Sequence, residues 1–162
     1  MAERPAIVST VFYKDPIAAM RWLERAFGFE TTILLTDAEG RVGHAEMQFR
    51  DCPVSIGGEF GGSLLGGAEM KSPANLSGNG SQFLRLELAE GIDEHCEQAR
   101  AAGARITDEP KNQFYGARTY RAMDPEGHIW NFNQTVAQVS GEEMERASGL
   151  KIATSLEEAG HG

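Results

Sequence analysis

The sequence predicts an α+β fold made of two copies of one βαβββ module. Three observations predict it: each half of the chain contains one amphipathic helix pattern, three strand patterns follow each helix, and a glycine-rich stretch separates the halves. A repeat spaced by about 75 residues indicates two similar units that pack together, because one such unit cannot cover both faces of its own sheet.

The first module is predicted over residues 6–58. Residues 7–13 are rich in β-branched and aromatic side chains and predict a strand, which stops where Asp15 can cap a helix that begins at Pro16. Apolar residues recur at spacings of three, four and seven through this helix, and Gly28 is placed to end it. Three further strands are predicted at 29–36, 41–49 and 53–57.

A long loop is predicted over residues 59–80, because this glycine-rich segment shows no hydrophobic periodicity. The second module, over residues 81–134, repeats the order of the first and completes a single domain over 1–135. Ser140 and Glu143 fit a capping box, so the C-terminal segment 136–162 is expected to contain a short helix at 140–147. The helix of the second module is predicted at 92–102, and its strands are predicted at 82–88, 104–110, 115–123 and 128–133.

Charge and cysteine content exclude several function classes. The chain has 24 acidic and 15 basic residues, a net charge of −9, which is the wrong sign for binding a phosphate backbone and favours cationic small molecules. No nucleic-acid partner is therefore expected. The apolar runs are too short to cross a bilayer and the N-terminus lacks a signal-peptide pattern, so we expect no membrane partner and a cytoplasmic location. Cys52 and Cys96 form no CxxC motif and are expected to be reduced thiols.

The last predicted strand carries the most specific motif in the chain. Residues 124–132 (DPEGHIWNF) resemble the DPxGxxxxF signature of the vicinal oxygen chelate superfamily, the glyoxalase and bleomycin-resistance proteins. Residues 15–29 resemble the first helix of that family, and residues 100–104 and 115–118 match its second half. The resemblance covers about residues 6–135 and implies curved, mixed sheets that form a cleft, commonly in a homodimer. Members include metal-dependent isomerases, dioxygenases, epoxide-opening enzymes and metal-free proteins that sequester a drug.

The resemblance also implies where a metal would bind. The family's four metal-ligand positions correspond here to Val8, Glu46, Phe83 and Asn131. Only Glu46 offers a carboxylate. Val and Phe have no lone pair to donate, and an amide oxygen is a poor ligand for Zn, Fe or Mn. His44 lies two residues from Glu46 on one strand face, which gives two ligands where such sites need three or more. We therefore expect no cofactor, with Glu46 as a weak metal candidate and a divalent metal as the alternative.

The candidate ligand-binding residues come from two predicted strands and one loop. Strand alternation places His44, Glu46 and Gln48 on one face, lining either the cleft or ordinary solvent. The segment 115–121 combines aromatic rings with guanidinium groups, a composition that suits planar or anionic ligands. The full set of expected ligand contacts is His44, Glu46, Gln48, Tyr115, Arg118, Tyr120 and Asn131.

The sequence leaves several functions open. The first is a resistance-type protein that binds a small organic molecule, such as a cationic aromatic compound, in a metal-free cleft of a homodimer. The second is a metal-dependent lyase or isomerase of the glyoxalase type, with Glu46 as base. The third is a metal-free enzyme in which His44 and Glu46 form an acid–base pair.

Overall fold

The computed structural model describes residues 3–160 and contains three helices and ten strands in that range. The first module consists of β1 (Thr10–Tyr13), α1 (Pro16–Phe27), β2 (Glu30–Thr36), β3 (Val42–Phe49) and β4 (Cys52–Gly58). The linker contains β5 (Phe60–Gly61) and β6 (Glu69–Met70). The second module consists of β7 (Leu84–Leu88), α2 (Ile92–Ala101), β8 (Arg105–Asn112), β9 (Ala117–Met123) and β10 (Ile129–Thr135), and α3 (Gly141–Ser148) follows it.

The two four-stranded sheets have the same topology. Their strand orders are β1-β4-β3-β2 and β7-β10-β9-β8. In each sheet the first strand of the module pairs in parallel with the last, and the remaining pairs are antiparallel. This repeated order confirms the predicted α+β fold of two βαβββ modules, and neither sheet closes on itself.

Local hydrogen bonds fix the helix ends where the sequence predicts them. The Asp15 carboxylate accepts from the backbone N–H of Ala18 at 3.0 Å, and Gly28 ends α1 in the left-handed conformation with φ of 79°. At α3, Ser140 and Glu143 form the predicted reciprocal capping box. Among residues 3–160, no helix combines the length and the apolar character needed to span a membrane.

Two predicted elements differ from the structure. The first strand begins at Thr10, three residues later than predicted, because Ile7 is 87% exposed and lies outside the sheet. The linker is more ordered than a loop: β5 and β6 form a hairpin, one 3₁₀ turn at Ser63–Leu65 lies between these two strands, and a second at Pro73–Asn75 follows them. Periodicity cannot detect strands of two residues.

One hydrophobic core joins the modules through their helical side. Phe27 at the end of α1 packs against Trp130 and Phe132 of β10, with ring centroids 5.7 and 4.8 Å away. The Trp22 indole N–H donates to the carbonyl of Ala102 at 2.8 Å. Trp22, Trp130 and Phe132 are each buried in this core.

The DPEG turn between β9 and β10 ties the second module to the first. Buried Asp124 accepts from the Tyr13 hydroxyl at 2.6 Å and from the Trp130 indole N–H at 3.1 Å. The Glu126 carboxylate accepts from the backbone N–H of Lys14 and of the α1 N-cap residue. The turn therefore fixes the end of β1 against the second sheet.

Candidate functional site

Strand register defines a face on each sheet that points away from α1 and α2, here called the distal face. In β3, Ala45, Met47 and Phe49 are buried on the helical side, so His44, Glu46 and Gln48 share the distal face. Glu46 lies opposite Ser55 of β4, and Ser55 lies opposite Thr10 of β1. These three polar residues form one row across three adjacent strands.

Glu46 on the first distal face contacts two basic side chains. Its Oε1 atom accepts from Arg4 Nη2 at 2.8 Å and lies 3.4 Å from His44 Nε2, and its side chain is 16% exposed. The hydrogen bond from Arg4 is the main reason that the pKa of Glu46 is lowered, although partial burial opposes the shift. The pair predicted from the i, i+2 spacing, His44 and Glu46, is thus in contact, while Gln48 bonds to Glu30 instead.

The second distal face carries Asn131 within an amide network. Asn131 is 9% exposed, and its Nδ2 donates to Oδ1 of Asn133 at 3.1 Å. The Asn133 amide donates to Glu87 at 3.3 Å. Next to Asn131 on β9, the Arg121 guanidinium lies 5.7 Å from the ring centroid of Phe83.

A cavity of about 780 Å³ lies where β1 and β7, the edge strands of the two sheets, approach each other beneath the linker. We call it the seam cavity. Gln82 and Ser9 bond across this junction at 3.1 Å. Apolar side chains dominate its wall, and its ionisable side chains are Glu69, Lys71 and His128. The apolar wall consists of Val11, Phe12, Met70, Pro73, Leu76, Phe83, Leu84, Met123 and Ile129.

Polar groups of the seam cavity are largely engaged with the protein. Lys71 Nζ lies 2.6 Å from a Glu69 oxygen, and this pairing raises the pKa of Lys71. His128 Nε2 is 2.7 Å from the carbonyl oxygen of Phe12, which can only accept, so this nitrogen carries the proton. The Phe12 ring covers Gly57 so closely that a Cβ on that glycine would lie 3.1 Å from it. The cavity therefore suits a mainly apolar ligand.

The linker is held over the cavity by two contacts. The Glu59 carboxylate accepts from the backbone N–H of Ser72 and from the Asn75 amide, each at 2.9 Å. Pro73 packs against Gly127 of the DPEG turn, where an added Cβ would lie 3.1 Å from the Pro73 Cβ. The same turn that joins the modules therefore also supports the cover of the cavity.

Two of the predicted ligand contacts lie on the helical side of the second sheet. Tyr120 pairs with Phe132 in register and is fully buried among the helices, where its hydroxyl bonds to His95 at 2.7 Å. Arg118 also lies on the helical side, and its Nε donates to Asp93 of α2 at 2.8 Å. Neither side chain faces the distal surface, and the ligand-binding role of each stays a prediction.

The remaining predicted residues are separated from the cavity. Tyr115 lies exposed in the β8–β9 turn, 5.2 Å from Phe114 between ring centroids. The Tyr115 side chain faces solvent and does not reach the seam cavity. Within the described part of the chain, the cavity wall includes none of the seven predicted contacts, His44, Glu46, Gln48, Tyr115, Arg118, Tyr120 and Asn131.

His95 of α2 is half-buried and points toward the hydrophobic core, against Phe27 and Tyr120. Its Nε2 donates to the Phe27 carbonyl at 2.8 Å and its Nδ1 accepts from the Tyr120 hydroxyl. Burial lowers the pKa of His95. Its spacing from buried Ile92 and Ala99, three and four residues away, could have placed it in the apolar stripe. The linker residues of the cavity give no comparable periodic signal.

The residues at the family's metal positions do not fit a metal site. Glu46 is engaged by Arg4, the Asn131 amide group is oriented by its bond to Asn133, and Phe83 is a hydrocarbon. Within residues 3–160, no group of three or more His, Cys, Asp and Glu side chains could hold a metal ion. The two cysteines are free thiols, with Cys52 exposed and Cys96 buried.

Two βαβββ modules of the same topology, with a cavity at their junction, define the class of fold. A model of the Glyoxalase/Bleomycin resistance protein/Dioxygenase superfamily matches residues 6–132, and the chain belongs to this family. The protein Mb0911c of Mycobacterium bovis is 24% identical over 143 residues, which cover 88% of this chain and 91% of that protein.

Solved structures give the same fold. The structure of TioX from Micromonospora sp. ML1 is similar with a TM-score of 0.64 and 26% identity, over 83% of this chain and all of that chain. The fosfomycin resistance protein FosX from Listeria monocytogenes has a TM-score of 0.58 at 14% identity, over 88% of this chain and 99% of that chain. At this identity the second likeness concerns the fold alone.

Proposed function

We propose that this protein binds a small organic molecule with a planar aromatic core in the seam cavity, without metal chemistry. The observation that carries the proposal is the cavity itself: about 780 Å³, with Phe12, Met70, Phe83 and Met123 in its wall. This volume lies in the range of about 300–1,000 Å³ typical of small-molecule sites. Aromatic rings and thioethers contact planar π-systems favourably.

The chemistry of the metal positions supports binding rather than Lewis-acid catalysis. Polarising a carbonyl or stabilising an enediolate in this family requires an ion, and the residues at the corresponding positions supply a single carboxylate. The net charge of −9 adds attraction for a cationic compound. We propose that the protein acts in resistance by sequestering such a compound. We also propose that it is cytoplasmic.

A neutral fluorescent probe, 2-phenylindole, tests the proposal. We expect saturable binding at micromolar concentration that is unchanged by a chelator. Leu76 is a linker residue of the cavity wall and is 43% exposed, so the larger indole of Leu76→Trp should occupy part of the cavity. The probe would then bury less apolar area, which should weaken its binding at least about tenfold. The matched control is Leu64→Trp, in the same linker but 91% exposed and outside the cavity wall. Equal binding by both variants would contradict the proposal.

Two catalytic alternatives have a supporting observation each. The 3.4 Å contact of His44 with Glu46 favours a metal-free acid–base enzyme, for which Glu46→Gln would abolish turnover while ligand affinity stays within about threefold. Family membership is the observation behind the second alternative, a metal-dependent lyase or isomerase. Metal content below about 0.1 equivalents in protein purified without chelator would exclude that enzyme, since catalytic zinc requires one ion per site.

We further propose that the protein is a homodimer. The two modules differ at their outer edge strands: β2 exposes Ile33, Leu34 and Leu35, with 40%, 42% and 54% exposure, whereas the equivalent strand β8 carries charged residues and Pro110. Charges and proline protect an edge strand from pairing, and an apolar edge lacks that protection. A second copy would cover both β2 strands at once through a twofold axis.

A further inference from the structure

We infer that Arg4 occupies the place of a ligand's cationic group at Glu46, so that the protein recognises an aromatic ligand with a basic arm and Arg4 competes with that arm. This inference rests on the proposed function, because it assumes that the aromatic part of the ligand fills the seam cavity. The inference adds a second recognition site, the Glu46 carboxylate, and names Arg4 as the residue that occupies this site.

The position of Glu46 relative to the cavity follows from strand register. Thr10 lines the cavity, Ser55 lies opposite it on β4, and Glu46 lies opposite Ser55 on β3. Adjacent strands are about 4.8 Å apart, so the backbone at Glu46 lies about 10 Å from that at Thr10 on the same sheet face. A ligand with its aromatic part in the cavity could therefore reach the carboxylate with a short arm along this polar row.

The carboxylate is prepared to receive a cation. Its side chain is only 16% exposed, and both the Arg4 guanidinium and His44 Nε2 point to the same oxygen, Oε1. The hydrogen bond from Arg4 is the main cause of the lowered pKa of Glu46, and a ligand cation at the same oxygen would act in the same direction. A carboxylate held in this environment binds guanidinium, amidinium or ammonium groups through charge-assisted hydrogen bonds.

Arg4 itself is suited to displacement. Its side chain is 66% exposed, and it lies in the N-terminal segment that precedes β1, outside any helix or strand. Ion pairs with an exposed, flexible partner contribute little free energy, so a ligand's cation can replace the Arg4 guanidinium at small cost. The contact therefore acts as an intramolecular competitor that lowers the affinity for cationic ligands and leaves neutral ligands unaffected.

The test uses two probes with one aromatic core: diamidinophenylindole, which carries two amidinium groups, and neutral 2-phenylindole. Arg4→Ala should tighten diamidinophenylindole binding about two- to fivefold, the range that an exposed ion pair predicts, and leave 2-phenylindole binding unchanged. Arg4→Lys should resemble the unsubstituted protein. Glu46→Gln should weaken diamidinophenylindole binding about tenfold, as loss of a charged hydrogen bond predicts, and remove the effect of Arg4→Ala.

A charge-matched control separates local competition from the general field. Arg146→Ala in the exposed helix α3 removes the same charge from a residue that is not a partner of Glu46 and should not change either affinity. If 2-phenylindole binds but diamidinophenylindole responds to neither Arg4→Ala nor Glu46→Gln, the inference is overturned and the proposed function stands. An equal gain from Arg146→Ala also overturns it. If neither probe binds, the proposed function fails and the inference fails with it.

Discussion

The Tyr13 hydroxyl donates a hydrogen bond of 2.6 Å to Asp124, and this buried bond links residues 111 positions apart. Asp124 also accepts from Trp130 and from two backbone N–H groups of its own turn, those of Glu126 and His128. The burial of Tyr13, together with the nearby Asp124 carboxylate, raises the pKa of the phenol well above its usual value. One aspartate thus shapes a turn and joins the two modules.

Replacing Asp124 should destabilise the whole domain. Asp124→Ala leaves the Tyr13 hydroxyl, the Trp130 N–H and two backbone donors without their acceptor, and should lower the free energy of unfolding by about 3 kcal/mol or more. Asp124→Asn keeps an acceptor oxygen and should cost less. Tyr13→Phe, which removes one bond, should cost about 1 kcal/mol. Urea unfolding measures all three, and equal losses for Asp124→Ala and Tyr13→Phe would show that the turn bonds contribute little.

His95 should make the stability of the protein depend on pH. Its folded-state pKa is lowered from 6.5 by burial, so the unfolded chain binds the proton at a higher pH than the folded chain does. The stabilisation is complete above about pH 6.5 and is lost as the pH falls below that value, with a slope of up to about 1.4 kcal/mol per pH unit. His95→Gln should remove this component from urea unfolding curves measured between pH 7 and pH 5. Parallel curves for the two proteins would contradict the prediction.

Gly127 should be intolerant of a side chain for two reasons. Its φ is 99°, which L residues rarely adopt, and an added Cβ would lie 3.1 Å from the Pro73 Cβ in the linker. Gly127→Ala should cost about 1–3 kcal/mol of unfolding free energy and displace the cover of the seam cavity, which weakens 2-phenylindole binding. Gly149→Ala is the control, because its φ of 71° is also positive but nothing lies within 4 Å. The same loss of probe binding in both variants would show that the Pro73 contact is unimportant.

Features that depend on neighbouring residues could be predicted from the sequence. The first turns of α1 and α3 follow from hydrogen bonds between residues three positions apart, Asp15 with Ala18 and Ser140 with Glu143. The repeated module order also follows, because each helix and its strands have their own periodicity. These local patterns were sufficient for the α+β fold.

The candidate site depends on long-range placement and was predicted only in part. The i, i+2 spacing brings His44 to Glu46, but it cannot show that Arg4, 42 residues away, completes that contact. Alternation puts Arg118 and Tyr120 on one face of β9, while the pairing of Tyr120 with Phe132 decides that this face is buried. The seam cavity depends on how the linker folds back over both sheets, for which the sequence has no periodic signal.

The edge strand β2 should control the oligomeric state. In a dimer that pairs through β2, the second copy covers this edge strand. The double variant Ile33→Lys with Leu35→Lys places charges there, and charged edge strands resist pairing. We expect light scattering to give about twice 17.6 kDa for the unsubstituted protein and 17.6 kDa for the double variant. Leu64→Lys, at an exposed linker position, should leave the mass of the dimer unchanged. A dimer that survives both lysines would place the interface elsewhere, and a monomer in every variant would exclude the homodimer.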